Sequence, residues 1–128
     1  MPSFRDLKLL SNLAGILFWV IAVLVFYGEL GPGDIGFSVW DKLQHFGAYA
    51  LMAGLLTVSL EARRWWLWGL LALVAMGGVL EILQGIVGRD MSFRDEIANT
   101  LGVIAGGSMG WAFCAILRAW VVEVPAGD

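Results

Sequence analysis

The chain has 128 residues, 59% of them hydrophobic and 15% charged, with a mean hydropathy of +0.80. A soluble domain is about 45–50% apolar and about 25% charged, and one this small could not bury so much apolar surface. The formal net charge of −3 and the lack of a basic cluster argue against nucleic acid as a partner; the composition also excludes a soluble enzyme, a β-barrel and a multidomain receptor.

Four stretches, Leu9–Gly28, Leu43–Leu60, Trp65–Gly88 and Ile97–Leu117, contain a single formal charge, Glu81. Each is close to the roughly 20 apolar residues that a bilayer-spanning helix needs. The expected fold class is therefore all-α: a polytopic membrane protein of four transmembrane helices in an antiparallel bundle, forming one domain over residues 1–128. The first stretch is long for a signal-peptide core and no A-x-A pattern follows it, so it reads as a retained span. Pro2, Pro32 and Pro125 all fall outside the four stretches, and Cys114, the only cysteine, lies in the fourth.

The second stretch is entered through Ser38-Val-Trp-Asp41 and the fourth through Ser92-Phe-Arg-Asp95, both in the form of a capping box. Four residues after each acid comes another polar group, His45 or Asn99. The offset of 54 residues suggests two helical hairpins in parallel repeat. Arg5, Lys8, Arg63, Arg64 and Arg118 fall on one side of the membrane, and Lys42, Arg89 and Arg94 on the other. The positive-inside rule then gives N-in/C-in. Trp65, Trp66, Trp68 and Trp120 would mark the inner interface and Trp40 the outer one.

Polar side chains within the apolar stretches gather at the outer side. Asp41, His45 and Tyr49 follow i, i+4, i+8 spacing; Glu81 and Gln84 follow i, i+3; Asp95 and Asn99 follow i, i+4. Each set lies along one helix face. Glu81, roughly 10 Å below the outer end of its helix, needs a partner, and Lys42, His45, Arg89 and Arg94 are the candidates. Alone, Glu81 reads as half of an ion pair that fixes helix register, and His45 as a packing residue. Together the groups point to a site, because polar side chains in a membrane are costly and face a bundle interior or a wet cavity. Histidine with carboxylates can hold a divalent metal, but this spacing is no defined metal signature, so neither metal nor cofactor is assigned. In the fourth stretch Ala98, Gly102, Gly106, Gly110 and Cys114 form a small-residue stripe. It allows close packing inside the bundle, opposite Gly47, Ala50, Ala53 and Gly54, or a homodimer through Gly102, Gly106 and Gly110.

Three motifs carry a family resemblance. Asp41-Lys42-x-x-His45-Phe46-x-x-Tyr49, Glu81-x-x-Gln84 and Arg89-x-x-Ser92-x-x-Asp95-x-x-x-Asn99-x-x-Gly102 resemble, in order, those of the VanZ-like membrane protein family, over about Leu9 to Leu117. The family's namesake is associated with resistance to the glycopeptide antibiotic teicoplanin. The resemblance implies a small multi-pass protein of the inner (cytoplasmic) membrane with an outward-facing polar site; it supplies no substrate.

The expected function is binding of an envelope amphiphile at that site: a lipid, a lipid-linked glycan or a lipoglycopeptide antibiotic. The alternative is an outer-leaflet enzyme acting on a lipid headgroup or lipid-linked glycan. In that reading His45 and Glu81 are acid/base groups, and Asp95 and Asp41 orient them or hold a metal. Lys42 and Arg89 hold an anion, Gln84, Asn99 and Tyr49 orient the substrate, and Ser92 or water is the nucleophile. A transporter fits less well, because transport sites lie near the midplane. A purely structural role would make the polar pairs staples.

Overall fold

The computed structural model describes residues 3–31 and 38–122. They form four helices, α1 (Phe4–Leu30), α2 (Ser38–Ser59), α3 (Trp66–Ile86) and α4 (Phe93–Val122), with no strand among the described residues. Helices α1 and α4 at both ends and α2 at its start extend past the uncharged stretches, because charged residues form those end turns, where a capping partner or water satisfies the free backbone groups; α3 stays within its stretch. At the start of α1 the Ser3 hydroxyl accepts from the Asp6 N–H at 3.3 Å, and the Asp6 carboxylate accepts from the Ser3 N–H at 2.7 Å. Three segments, Arg5–Leu30, Trp66–Ile86 and Phe93–Val121, are long and apolar enough to cross a membrane. Much of the apolar surface faces outward: Leu17, Trp19, Leu24, Leu71, Ile104 and Trp111 are all exposed. Such a coat suits hydrocarbon and not water, and the chain is a multi-pass membrane protein on these grounds.

Contacts at both ends set the helix directions. Ser11 of α1 donates to the Ser59 carbonyl of α2 at one end, and Glu29 meets His45 at the other, so α1 and α2 are antiparallel. Glu81 of α3 meets Ser92, while Leu70 packs where Gly107 of α4 leaves room, so α3 and α4 are antiparallel. Helices α2 and α4 run parallel and lie against each other along their length: Gly102 faces Phe46, Gly106 faces Ala50, and Gly110 faces Gly54 and Thr57. A Cβ at Gly102 or Gly106 would overlap the α2 backbone. Ala98, Gly102, Gly106, Gly110 and Cys114 are all buried, so the stripe is occupied inside the chain. A homodimer through Gly102, Gly106 and Gly110 would have to displace α2. Of the four small residues expected opposite, Ala50 and Gly54 make this contact, Ala53 lies in the core, and Gly47 faces open space.

The two turns at the opposite ends differ. The α2–α3 turn closes through Ala62 N–H to the Thr57 carbonyl, with Glu61 and Ala62 at φ 53° and 46°. The α3 end closes through Arg89 N–H to the Gln84 carbonyl, with Gly88 at φ 84°, where glycine carries no Cβ penalty. The apolar core (Phe18, Tyr49, Met52, Ala53, Leu73 and Val103) lies below the end that bears Gly88.

Candidate functional site

The site residues expected from the sequence fall at that one end of the bundle, except Tyr49, which lies in the core below it. The last two turns of α1 and α3 deliver Glu29, Glu81 and Gln84; the first two turns of α2 and α4 deliver Asp41, Lys42, His45, Asp95, Glu96 and Asn99. Helix dipoles favour acids at the α2 and α4 ends and disfavour them at the α1 and α3 ends. Glu29 and Glu81 therefore sit where their charge is least welcome and need partners.

The closest junction joins α2 to α4. His45 Nδ1 lies 3.0 Å from Asn99 Oδ1, and Lys42 Nζ lies 3.2 Å from Asp95 Oδ1. Two residues 54 apart in the chain are thus in direct contact, because parallel helices in close register bring repeat-equivalent positions together. The Asn99 amide donates to Glu96 Oε2 at 3.4 Å, and Glu96 reaches α3 in the space that Gly77 leaves open. On its other side His45 faces Asp41, Nε2 to Oδ1 at 3.8 Å, while Glu29 Oε1 lies 3.5 Å from Nδ1. Asp41, His45 and Asp95 each offer one ligand atom within 4.8 Å of the other two.

Several pairings differ from those the sequence suggested. None of Lys42, His45, Arg89 and Arg94 forms an ion pair with Glu81 among the described residues; its Oε2 accepts from the Ser92 backbone N–H at 2.9 Å. In a capping box that N–H would go to Asp95. Glu81 takes it from the neighbouring helix, which leaves Asp95 to Lys42. The Ser38 side chain, and with it the box at Asp41, lies outside the described residues, as does the side chain of Trp40. Arg89 forms no ion pair among the described residues. Its guanidinium donates to the backbone carbonyls of Gly28, Glu29 and Gly31 and closes the C-terminal end of α1. Gln84 does the same work from α3, donating to the Glu29 carbonyl at 3.0 Å. Tyr49 is fully buried below His45.

Three polar atoms in this cluster are buried without a hydrogen-bond partner: Glu29 Oε2, Tyr49 Oη and Glu81 Oε1. Beside the cluster, on the outer side of α4, Phe93, Ile97 and Leu101 line a shallow concavity with Glu96 and Thr100. Glu29 and Glu96 are the site residues the sequence reading missed. For Glu29 the signal was present: an acid in the last turn of an apolar helix opposes the helix dipole. Glu96 stands in a first turn, where an acid needs no further explanation, so nothing in the sequence singled it out.

No protein-family model, no curated protein and no solved structure matches this chain.

Proposed function

We propose that the polar end of the bundle is an outward-facing site for an envelope amphiphile: a lipid, a lipid-linked glycan or a lipoglycopeptide antibiotic. In this reading all four helices span the cytoplasmic membrane. Helix α2 has 22 residues, and at 1.5 Å each that is about 33 Å, enough to cross. The N- and C-termini lie inside with Arg63 and Arg64, and the resemblance to VanZ-like proteins rests on the motif residues that share the outer end.

The observation that carries the proposal is a pair of buried carboxylate oxygens that accept no hydrogen bond, Glu29 Oε2 and Glu81 Oε1, with the Tyr49 hydroxyl, a potential donor, also without a partner. A buried acceptor without a donor costs about 1–3 kcal/mol, more when charged, and a ligand that supplies donors recovers it. The same accounting defines the ligand's head. Lys42 is held by Asp95 and Arg89 by three carbonyls, so the buried groups left over are the two carboxylate oxygens and the Tyr49 hydroxyl, in place of the anion holders expected from sequence. The two carboxylates suit hydroxyl, amide or ammonium donors of a sugar or peptide head. The concavity along Phe93, Ile97 and Leu101 lets an acyl chain lie beside it.

An enzyme at the outer leaflet is the second reading, favoured by His45 lying between Asp41 and Asn99 as an oriented imidazole. Titration of the protein in lipid nanodiscs with teicoplanin, and separately with a polyprenyl-linked glycan, tests both. The binding reading expects saturable binding of at least one probe, weakened about tenfold or more in Glu81→Gln, the weight of one charge-assisted hydrogen bond, with the probe recovered intact. Binding indifferent to Glu81→Gln would overturn the site, and a chemically altered probe would replace binding by catalysis.

A further inference from the structure

A chain of hydrogen bonds fixes where the lone pair of His45 points. A carboxylate only accepts, so Glu96 Oε2, 3.4 Å from Asn99 Nδ2, turns the amide nitrogen toward itself. The Asn99 oxygen is then the atom facing His45 Nδ1 at 3.0 Å. An amide oxygen also only accepts, so Nδ1 carries the hydrogen. Glu29 Oε1, 3.5 Å from the same nitrogen, is a second acceptor on that edge. In neutral imidazole the lone pair therefore belongs to Nε2, and Nε2 faces Asp41 Oδ1 at 3.8 Å. One ring nitrogen of His45 and one carboxylate oxygen from each of Asp41 and Asp95 lie within 4.8 Å of one another. Among the described residues the cation in contact with this group is the Lys42 ammonium, which touches only Asp95 of the three.

We propose that Asp41, His45 and Asp95 form a divalent-cation site, with Lys42 as a tethered competitor that holds Asp95 while the ion is away. An imidazole nitrogen with two carboxylate oxygens suits zinc or manganese and leaves coordination positions open. A ligating histidine characteristically gives its other N–H to a carbonyl or carboxylate, which fixes the ring; Asn99 and Glu29 hold Nδ1 in that way. Bonds of roughly 2.0–2.2 Å require the ligand atoms to close in from their present spacing. Asp41 provides that freedom, since it stands in the first turn of α2 with its side chain 42% exposed, and the same exposure gives the ion its entry. The electrostatics favour a cation. Glu29, Asp41, Glu81, Asp95 and Glu96 share this end, Arg89 is committed to carbonyls, and Glu29 Oε2 and Glu81 Oε1 are buried acceptors without a donor. The site does not rest on amphiphile binding and is tested without one.

The full chain, solubilised in detergent and stripped with chelator, is titrated with zinc alone and with manganese alone by calorimetry, with bound metal counted by elemental analysis. We expect one ion per chain. His45→Gln and Asp41→Asn each weaken binding by about tenfold or more, the range in which losing an ordered contact at a metal site is felt. Cys114→Ser leaves it unchanged. Lys42→Gln tightens it several-fold, because the competitor is gone while all three ligands remain. No uptake by the native chain, or equal uptake by His45→Gln, overturns the site. Should His45→Gln fail to fold, Lys42→Gln decides: tighter binding supports the site, and unchanged or weaker binding overturns it.

Discussion

His45 is the only histidine in the chain, and its behaviour follows from neighbours the sequence only half reveals. The i, i+4 spacing places Asp41 on its face of α2, yet the residue that fixes its tautomer, Asn99, comes from α4 and is itself oriented by Glu96. Nitrogen-15 NMR of protein labelled at histidine reads this one ring directly. The expected spectrum has a protonated Nδ1 and a bare Nε2. In Asn99→Leu that preference falls away and the two tautomers approach the mixture found in water, while Asn99→Asp, which keeps an acceptor at the position, retains it. Glu81 teaches a complementary lesson. Its depth in an apolar helix marks it as a residue in need of a partner, but side-chain chemistry proposes cations and the fold supplies a backbone N–H. A partner from the main chain depends on where the next helix begins, and no residue type announces that.

At the scale of the helices, the junction of α2 and α4 sets everything above it. Small residues at Gly102 and Gly106 let the backbones meet, and only at that separation do Lys42 and His45 reach Asp95 and Asn99. The stripe was legible from its i, i+4 spacing, and so was the parallel course of the two helices from the 54-residue offset. The register that pairs Lys42 with Asp95, one residue off that offset, was not, because it depends on how ridges and small-residue grooves interlock in three dimensions. Gly106→Leu forces the helices apart and is expected to destabilise the protein by about 3 kcal/mol, the upper range for overpacking, as a lowered midpoint in thermal unfolding in detergent. Gly47, equally a helical glycine of α2, has no atom within 4 Å of its would-be Cβ. Gly47→Ala therefore leaves the midpoint unchanged or raises it slightly, since alanine is the better helix former. Gly88 acts at a distance: its positive φ turns the chain so that Arg89 can close the end of α1.

Across the whole molecule, the two ends have opposite characters. Among the described residues, one gathers Glu29, Asp41, Glu81, Asp90, Asp95 and Glu96 with His45, Lys42, Arg89 and Arg94; the other carries the Arg63–Glu61 ion pair at 2.9 Å and Arg118 hydrogen-bonded to the Glu61 carbonyl. That polarity was legible in where the polar residues fall along the apolar stretches, because antiparallel neighbours bring the end of one helix beside the start of the next. A reporter fused to the C-terminus, active only on one side of the membrane, is expected to report a cytoplasmic location; an extracytoplasmic signal would turn the site inward. What that pattern could not give was the ligand's chemistry. From sequence, Lys42 and Arg89 looked available for an anion; once folded, both are occupied, and the buried groups without a partner are two carboxylate oxygens and the Tyr49 hydroxyl. The most direct measurement is equilibrium binding of teicoplanin and of the lipid-linked glycan to the native protein and to Glu81→Gln, side by side in nanodiscs. Saturable binding by the native chain with a loss of about tenfold or more in the variant is the expected result, and equal affinity in the two, or no saturable binding of either probe, would contradict it.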